Sequence, residues 1–263
     1  MMNEFSLSNL THIKETYDRD GYVVVRNVLD ANLVRELDQH IDWLIERHPD
    51  LRPERLGHWL VAQDPFWVRF ISDPNLLEVA GSLVGRAIAF FAADYIAKPP
   101  RDGQAVAWHQ DGNYWGLEPM EVITIWFAVT SSTIENGCVQ VIPGSQRLGP
   151  VDHRSKTDAV NLLNSEVDPA VVDEEQAVNV ELDAGDVSVH HPLVLHGSEA
   201  NTSDRWRRGG SLQYMPVTTR ITANNWPCAF LLKGEDTAGV NDYQPKPKYI
   251  AGQHMPFQGC EGI

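Results

Sequence analysis

The sequence predicts a mainly β protein in which a helical N-terminal layer supports an all-β core. Two patterns and the chain length predict it: helical spacing of apolar residues in the first third, short β-branched runs separated by turn residues further on, and 263 residues, which suit one large domain. We therefore expect a single domain over 1–263, with mainly helical support over 1–86, a β core over 87–220 and a C-terminal extension over 221–263.

Helices are predicted where apolar residues recur every three or four positions. Leu10–Asp20 and 31–48 have this spacing, and Asp30 is a suitable N-cap for the second helix. Tyr22–Val25 lies between them and is too rich in β-branched residues for a helix, which predicts a strand. Ser-Asp-Pro starts a third helix, which is expected over 74–83.

Strands are predicted from residue 87 onwards, where short apolar runs alternate with Gly, Pro, Asn and Asp. Turn signals recur about every dozen residues, as in sandwiches and barrels, and there are no alternating βαβ units. The predicted strands are 87–97, 122–130, 138–142, 178–182, Val187–His190 and 210–216.

Two segments are expected to lack regular structure. The acidic run 152–177 has little periodicity and is interpreted as a long inserted loop, a type of segment that often serves as a lid. The proline-rich chain after residue 224 is expected to be irregular, and 246–263 is either a cap over the core or a disordered tail.

The charge balance excludes some classes of partner. Asp and Glu number 36 against 21 Lys and Arg, which gives a formal net charge of −15 without a basic cluster. An acidic surface of this kind argues against binding to nucleic acid and to anionic membranes. We expect a small-molecule substrate and a monomer or homodimer.

Cysteine usage and the N-terminus indicate a cytoplasmic protein. Cys138, Cys228 and Cys260 are far apart, odd in number and without CxxC spacing, so we expect them to be unpaired. The first ten residues have no basic or apolar signal region, and no run of 18 apolar residues occurs.

The strongest chemical motif is the run Trp-His-Gln-Asp-Gly that contains His109 and Asp111. On a strand, residues two apart point to the same face, so an imidazole nitrogen and a carboxylate oxygen can reach one metal ion. Because His-x-Asp is common by chance, a second cluster is needed to support a metal site.

That second cluster contains three histidines: His190, His191 and His196. One of them would complete a facial triad of two histidines and one carboxylate, which is diagnostic of non-heme Fe(II) oxygenases. Arg207 follows the last histidine by eleven residues and can grip a carboxylate with two hydrogen bonds. Its neighbours Arg205 and Arg208 are the alternatives.

In these motifs the sequence resembles the phytanoyl-CoA dioxygenase family of Fe(II)/2-oxoglutarate oxygenases. The matching motifs occur in the family's order over about three quarters of the chain. They are Asp20-Gly21-Tyr22, Lys98-Pro99-Pro100, His109-Gln110-Asp111, Glu135-Asn136-Gly137-Cys138, Ile142-Pro143-Gly144-Ser145, Gly185-Asp186, His196-Gly197-Ser198 and Arg207.

The resemblance implies a double-stranded β-helix core, that is, a cupin-like jelly roll, and a set of cofactors. Its iron ligands, which are also the catalytic residues, would be His109, Asp111 and His196, and the cofactors would be Fe(II), 2-oxoglutarate as cosubstrate and O2. The family context selects His196 because a Gly-Ser pair follows it and Arg207 lies eleven residues further on.

The resemblance also implies a cosubstrate site. Arg207 matches the arginine that pairs with the distal carboxylate of 2-oxoglutarate, and Ser198 matches its hydroxyl partner. Gln110 and Trp126 match positions that line this site in relatives, although a supporting or core role is an open alternative for both.

The substrate residues are expected just after the ligand strand. Asn113, Tyr114 and Trp115 leave the strand close to Asp111 and are candidates for substrate contact, with packing at the barrel rim as the alternative. Eight tryptophans suit a flat or cationic ligand. Because the surface is acidic, we expect a small uncharged or cationic metabolite rather than a coenzyme A thioester.

The resemblance implies oxidative decarboxylation of 2-oxoglutarate to succinate and CO2, coupled to hydroxylation of an unactivated C–H bond. Halogenases on this scaffold lack the carboxylate ligand, so the presence of Asp111 favours hydroxylation, or a desaturating or ring-forming variant. Two alternatives remain at this point: a cupin-like Zn or Mn isomerase or hydrolase, and a non-catalytic binding module on the same fold.

Overall fold

The computed structural model describes residues 4–155 and 161–262. Five α-helices lie before the main β region: α1 (Leu10–Asp20), α2 (Ala31–Arg47), α3 (His58–Val61), α4 (Pro65–Ile71) and α5 (Pro74–Val84). Asp30 caps α2 by accepting hydrogen bonds from the backbone N–H groups of Asn32 and Leu33, as predicted. None of the described helices has the length and apolar character needed to cross a membrane.

The strands of the described residues form two larger sheets and two small two-stranded sheets. In chain order the strands are β1 (Glu4–Phe5), β2 (Tyr22–Val25), β3 (Ile88–Tyr95), β4 (Val106–His109), β5 (Leu117–Glu118), β6 (Ile123–Ala128), β7 (Val139–Val141), β8 (His153–Ser155), β9 (Ser165–Val167), β10 (Val178–Val180), β11 (Val187–His190), β12 (His196–Ser198), β13 (Gly209–Pro216), β14 (Arg220–Ile221) and β15 (Phe230–Lys233).

The large sheet has the order β1-β2-β11-β6-β13-β3-β15, and the facing sheet has the order β10-β7-β12-β4. Apart from the short parallel pair β1–β2, the neighbouring strands of both sheets are antiparallel. Neighbours in each sheet are distant in sequence, as in a jelly roll, so the predicted fold class is confirmed.

The helices cover the outer face of the large sheet. On β6, alternate residues Ile123, Ile125 and Phe127 point outward into the main hydrophobic core, where α5 packs against β3, β6 and β13. The C-terminal segment joins this core through Phe257, whose ring meets that of Phe66 edge-on at 5.6 Å. The described part of this segment, residues 246–262, therefore packs on the helical side of the molecule.

The inner face of the large sheet has two rows of residues, most of them polar, that cross four strands. Strand register fixes these rows, since residues paired across β11, β6, β13 and β3 point to the same side. The first row is His190, Thr124, Gln213 and Ala92, and the second is Ser188, Trp126, Ser211 and Asp94.

Several local expectations differ from the structure. The strand expected to carry both His109 and Asp111 ends at His109, and Asp111 begins a 3-10 helix, Asp111–Tyr114. The segment 152–177, expected to be a structureless loop, contains β8 and β9, although its residues 156–160 lie outside the described chain. The C-terminal region contains β15, which extends the large sheet, and α3 and α4 were not predicted.

All three cysteines are free, as expected, and all three are buried.

Candidate metal centre

Two histidines from neighbouring strands face each other at one end of the small sheet. His109 is the last residue of β4, and His196 is the first residue of β12 and its direct partner across the sheet. Their ring centroids are 4.0 Å apart, and both residues are buried. Residues 87 positions apart in sequence are thus brought together by strand pairing.

Asp111 lies between the two imidazoles. Its Oδ1 is 3.4 Å from Nε2 of His109 and 3.6 Å from Nε2 of His196. One ligand atom from each of the three residues lies within 4.8 Å of the others. Two imidazole nitrogens and a carboxylate oxygen in this arrangement match the facial triad of non-heme iron sites.

The ring orientation of both histidines suits metal binding. Nδ1 of His109 is 2.8 Å from the carbonyl oxygen of Ala107, and Nδ1 of His196 is 3.1 Å from that of Val194. A carbonyl only accepts hydrogen bonds, so each Nδ1 carries the proton and donates it. The Nε2 lone pairs consequently point at Asp111 and are available to a metal ion, as is usual for histidine ligands.

The second oxygen of Asp111 is held by the large sheet. Thr124 donates its hydroxyl hydrogen to Oδ2 at 2.7 Å, and Nε2 of His190 approaches the same oxygen at 3.2 Å. Burial would raise the pKa of the Asp111 carboxyl, but His196, His109 and His190 outweigh that effect and hold the pKa well below its usual range. The carboxylate is thus ionised, with Oδ1 directed at the two histidine ligands.

Arg207 lines the same cavity and is 1% exposed. Its guanidinium donates to the carbonyl oxygens of Gly137 at 2.6 Å and Ile96 at 3.1 Å, and lies over the ring of Trp126 at 5.1 Å. Nε of Arg207 is buried and has no hydrogen-bond partner among the described residues. Burial lowers the Arg207 pKa to about 10, so the group remains cationic at neutral pH.

A buried amine, that of Lys98, lies beside Arg207. Lys98 and Arg207 exchange backbone hydrogen bonds, and Nζ of Lys98 donates to Oγ of Ser198 at 2.7 Å and to the carbonyl oxygen of Glu199. Burial, and then repulsion by Arg207, lowers the Lys98 pKa to about 6. The Arg207 guanidinium, the Lys98 amine and the Ser198 hydroxyl therefore lie together where the site is expected to receive a carboxylate.

Of the other two residues expected to line the cosubstrate site, Trp126 and Gln110, one lines the cavity and the other does not. Trp126 lines the cavity beside Arg207. The Gln110 amide does not line it: Nε2 donates to the carbonyl oxygens of Gly149 and Leu193, and Oε1 accepts from the N–H of Val151. These three hydrogen bonds join two loops and favour the supporting role left open for Gln110 over a direct contact with the cosubstrate.

The cavity has a volume of about 700 Å³, within the range typical of small-molecule sites. Tyr114 and Trp115 line it, whereas Asn113 is exposed and is not among the lining residues. Tyr114 also bonds Ser165 at 2.8 Å, and Leu162 of the same segment joins the lining. Part of the acidic segment 152–177 thus forms one side of the cavity.

Sequence reasoning missed Lys98, Thr124 and His190. Lys98 belongs to a quoted motif, Lys98-Pro99-Pro100, but had no assigned role. The sequence pattern favours His196 over His190 as the metal ligand. In the structure, side chains alternate along β11 so that His190 lies on the inner face of the large sheet. The His191 ring instead contacts the Tyr17 ring, at a centroid distance of 6.0 Å. Thr124 gave no sequence signal, because only strand register places its hydroxyl next to Asp111.

Comparisons with known proteins agree with this architecture. A phytanoyl-CoA dioxygenase domain-containing protein 1 homolog of Caenorhabditis briggsae is 23% identical over 273 residues, covering 82% of this chain and 95% of that protein. Among solved structures, the non-heme monooxygenase ThoJ in its apo form superposes with a TM-score of 0.75 at 26% identity, covering 89% of this chain and 88% of that one.

The epimerase SnoN, in complex with Fe3+, alpha ketoglutarate and nogalamycin RO, superposes with a TM-score of 0.68 at 24% identity, covering 83% of this chain and 88% of that one. This likeness concerns the fold. The sequence profile of the family described as Phytanoyl-CoA dioxygenase (PhyH) matches residues 17–209, which is most of the chain. By this match, and with the fold and the His-Asp-His cluster in place, the chain belongs to the phytanoyl-CoA dioxygenase family.

Proposed function

We propose that this protein is an Fe(II)- and 2-oxoglutarate-dependent oxygenase that hydroxylates an unactivated C–H bond of a small molecule. The observation that carries the proposal is the combination of the His-Asp-His cluster and the buried Arg207 in one cavity. A metal hydrolase or isomerase of similar fold has no need for a buried cation at this position, which favours the oxygenase.

His109, Asp111 and His196 would hold the iron. Their donor set fits the ion, since both Nε2 lone pairs and Oδ1 converge while Nδ1 and Oδ2 are engaged elsewhere. Three protein ligands leave positions open for cosubstrate and O2. When bound, iron and 2-oxoglutarate together supply oxidative decarboxylation to succinate and CO2, coupled to oxidation of the substrate C–H bond.

Arg207 and Ser198 would bind the distal carboxylate of 2-oxoglutarate, with Lys98 as an additional cation behind Ser198. Charge-assisted hydrogen bonds from a guanidinium to a carboxylate are among the stronger polar contacts in proteins. Trp126 packs against the Arg207 guanidinium and helps to orient it. These residues therefore position the cosubstrate relative to the metal ligands.

The substrate would occupy the remaining cavity, next to Tyr114 and Trp115. Besides the metal ligands, the charged lining residues are Glu54, Asp94, Arg55 and Arg207. Glu54 is paired with Arg52, so with Arg207 assigned to the cosubstrate the substrate side has no excess of either charge, which favours an uncharged molecule over a polyanionic thioester. Tight binding of acyl-CoA esters with CoA-dependent turnover would refute this substrate class.

Anaerobic titration of the metal-free protein with Fe(II) and then 2-oxoglutarate tests the proposal. Chelation of iron by the keto acid gives a weak visible charge-transfer band, which we expect for the native protein and for Arg205→Ala. Arg205 is exposed and outside the cavity, so this variant controls for Arg207→Ala, in which the band requires far more cosubstrate. His196→Ala should not develop the band.

Two outcomes of this titration would support the alternative functions. Metal binding without any response to 2-oxoglutarate would leave a Zn or Mn isomerase or hydrolase on the same ligands as the better account. Absence of metal binding in the native protein would leave a non-catalytic binding module.

A further inference from the structure

Gln213 occupies a position on the inner face of the large sheet that no cosubstrate or metal contact explains. It lies on β13, paired with Thr124 on one side and Ala92 on the other, and it lines the cavity. Because Thr124 bonds the metal-binding carboxylate of Asp111, Gln213 is one strand further from the metal site along the same row. A substrate lying over the metal site would reach its carboxamide.

The carboxamide of Gln213 has no partner within the described protein. The residue is 3% exposed, and its Oε1 is buried without a hydrogen bond among the described residues. Its sheet neighbours cannot supply one, since Ala92 has no polar side chain and the Thr124 hydroxyl hydrogen is given to Asp111. A buried amide left unpaired destabilises the fold, so such groups call for a specific explanation.

Gln110 offers an internal comparison. Its carboxamide is equally buried but makes three hydrogen bonds to backbone groups, and it lies outside the cavity lining. The two glutamines beside the site thus have different roles. The Gln110 carboxamide stabilises the fold, whereas the Gln213 carboxamide is available to hydrogen-bond a ligand.

The surroundings of Gln213 indicate the kind of ligand. Ser211, two residues earlier on the same face of β13, adds a hydroxyl to the lining. Trp115 and Trp226 also line the cavity and pack against Phe91, with ring centroids at 5.8 Å and 4.5 Å from it. Since the indole N–H of Trp226 donates to the carbonyl oxygen of Phe91, that side chain offers its ring to a ligand.

The charges of the cavity lining restrict the class of ligand further. Within the described lining, Arg207 is the only fully buried cation, and Arg55 is exposed, with its guanidinium bonded to the carbonyl oxygen of Leu162. A carboxamide and a hydroxyl both donate and accept hydrogen bonds but bring no charge. Together with fixed indole rings, they suit a neutral ring system that bears hydroxyl or amide groups.

We propose that Gln213 is a specificity-determining residue that binds a hydroxyl or amide group of a neutral, ring-containing substrate and so decides which carbon faces the metal. This inference rests on the proposed function for the existence of a substrate site beside the metal ligands. It adds the polar group that orients the substrate there.

The first test compares the stability of Gln213→Leu with that of Gln110→Leu in the full-length protein. If Gln213 serves a ligand, replacing its unpaired carboxamide by an apolar side chain leaves the thermal unfolding midpoint unchanged or raises it. Gln110→Leu, which leaves three backbone groups without partners, lowers the midpoint. A comparable loss of stability in Gln213→Leu would assign it a structural role and overturn the proposal.

The second test measures binding of three matched probes to the Zn-loaded protein with 2-oxoglutarate: indole-3-ethanol, 3-ethylindole and indole-3-acetate. We expect the alcohol to bind about tenfold more tightly than the ethyl compound, as one satisfied hydrogen bond allows, and the acid to bind more weakly than the alcohol. Gln213→Leu should abolish the preference for the alcohol.

Gln140→Leu is the control, because Gln140 bonds Asn179 on the small sheet and lies outside the cavity lining. It should retain the preference shown by the native protein. Equal binding of alcohol and ethyl compound by the native protein, an unchanged preference in Gln213→Leu, or no binding of any probe would each overturn the proposal. Failure of the proposed function is separate, since it would appear as absence of the metal and 2-oxoglutarate response.

Discussion

Replacement of Arg207 by alanine should weaken 2-oxoglutarate binding strongly and leave metal binding nearly unchanged. A guanidinium has five N–H groups, and the carbonyl oxygens of Gly137 and Ile96 accept one each. Three N–H groups therefore remain, including the buried Nε–H, which has no partner among the described residues. A carboxylate is the ligand that satisfies such donors best.

The size of the effect follows from the bonds that are lost. Hydrogen bonds to charged groups contribute about 1.5–3 kcal/mol each, so two of them would supply about 3–6 kcal/mol. Lys98 remains in the variant and compensates in part, so we expect the lower half of this range. A loss of about 3–4 kcal/mol corresponds to a rise in Kd of roughly 100- to 1000-fold.

Two titrations measure this prediction: Co(II) into the metal-free variant, and 2-oxoglutarate into the metal-loaded variant, each by calorimetry. The metal Kd should change by less than about threefold, because Arg207 contacts none of the three ligand residues directly. Arg205→Ala is the matched control, and a circular dichroism spectrum checks folding. Normal 2-oxoglutarate affinity in a folded Arg207→Ala variant would refute the assignment of Arg207 to the cosubstrate carboxylate.

Three further predictions concern the groups around the metal and the cosubstrate. The Lys98 pKa is lowered to about 6 in the free protein, and binding of an anionic carboxylate should raise this pKa, so 2-oxoglutarate affinity should fall as pH rises above about 6. Calorimetry at pH ~7.5 in two buffers of different ionisation enthalpy should therefore show that 2-oxoglutarate binding takes up protons. This proton uptake should be absent in Lys98→Met. Thr124→Val and His190→Leu each remove a hydrogen-bond partner of Oδ2 of Asp111 and should raise the Co(II) Kd about tenfold. Thr124→Ser keeps the hydroxyl and should have the native Co(II) Kd. Unchanged Co(II) affinity in both Thr124→Val and His190→Leu would show that these contacts do not position the carboxylate. Asp111→Ala should lose more than about 100-fold in Co(II) affinity and open a position for chloride, and native-like metal binding in this variant would show that the triad assignment is wrong.

Much of the fold was predictable because it depends on local sequence patterns. Apolar spacing placed α1 and α2 within a residue of their observed ends, and β-branched runs placed five strands of the large sheet, namely β2, β3, β6, β11 and β13. Errors arose where local patterns are weak. Strand β4 ends at His109 because the next residues form a 3-10 helix, and the strands β8 and β9 pair only with each other, in a segment rich in acidic residues.

The sequence, through its resemblance to the family, predicted the chemistry of the site: a His-x-Asp pair, a third histidine followed by Gly-Ser, and an arginine eleven residues on match the family's metal ligands and cosubstrate cation. Only the tertiary structure decided which other side chains meet them. Thr124, His190 and Gln213 are brought into one row by strand register between segments far apart in the chain. Their roles depend on pairing and on the face each residue presents, and these are fixed by long-range packing that a local sequence pattern does not encode.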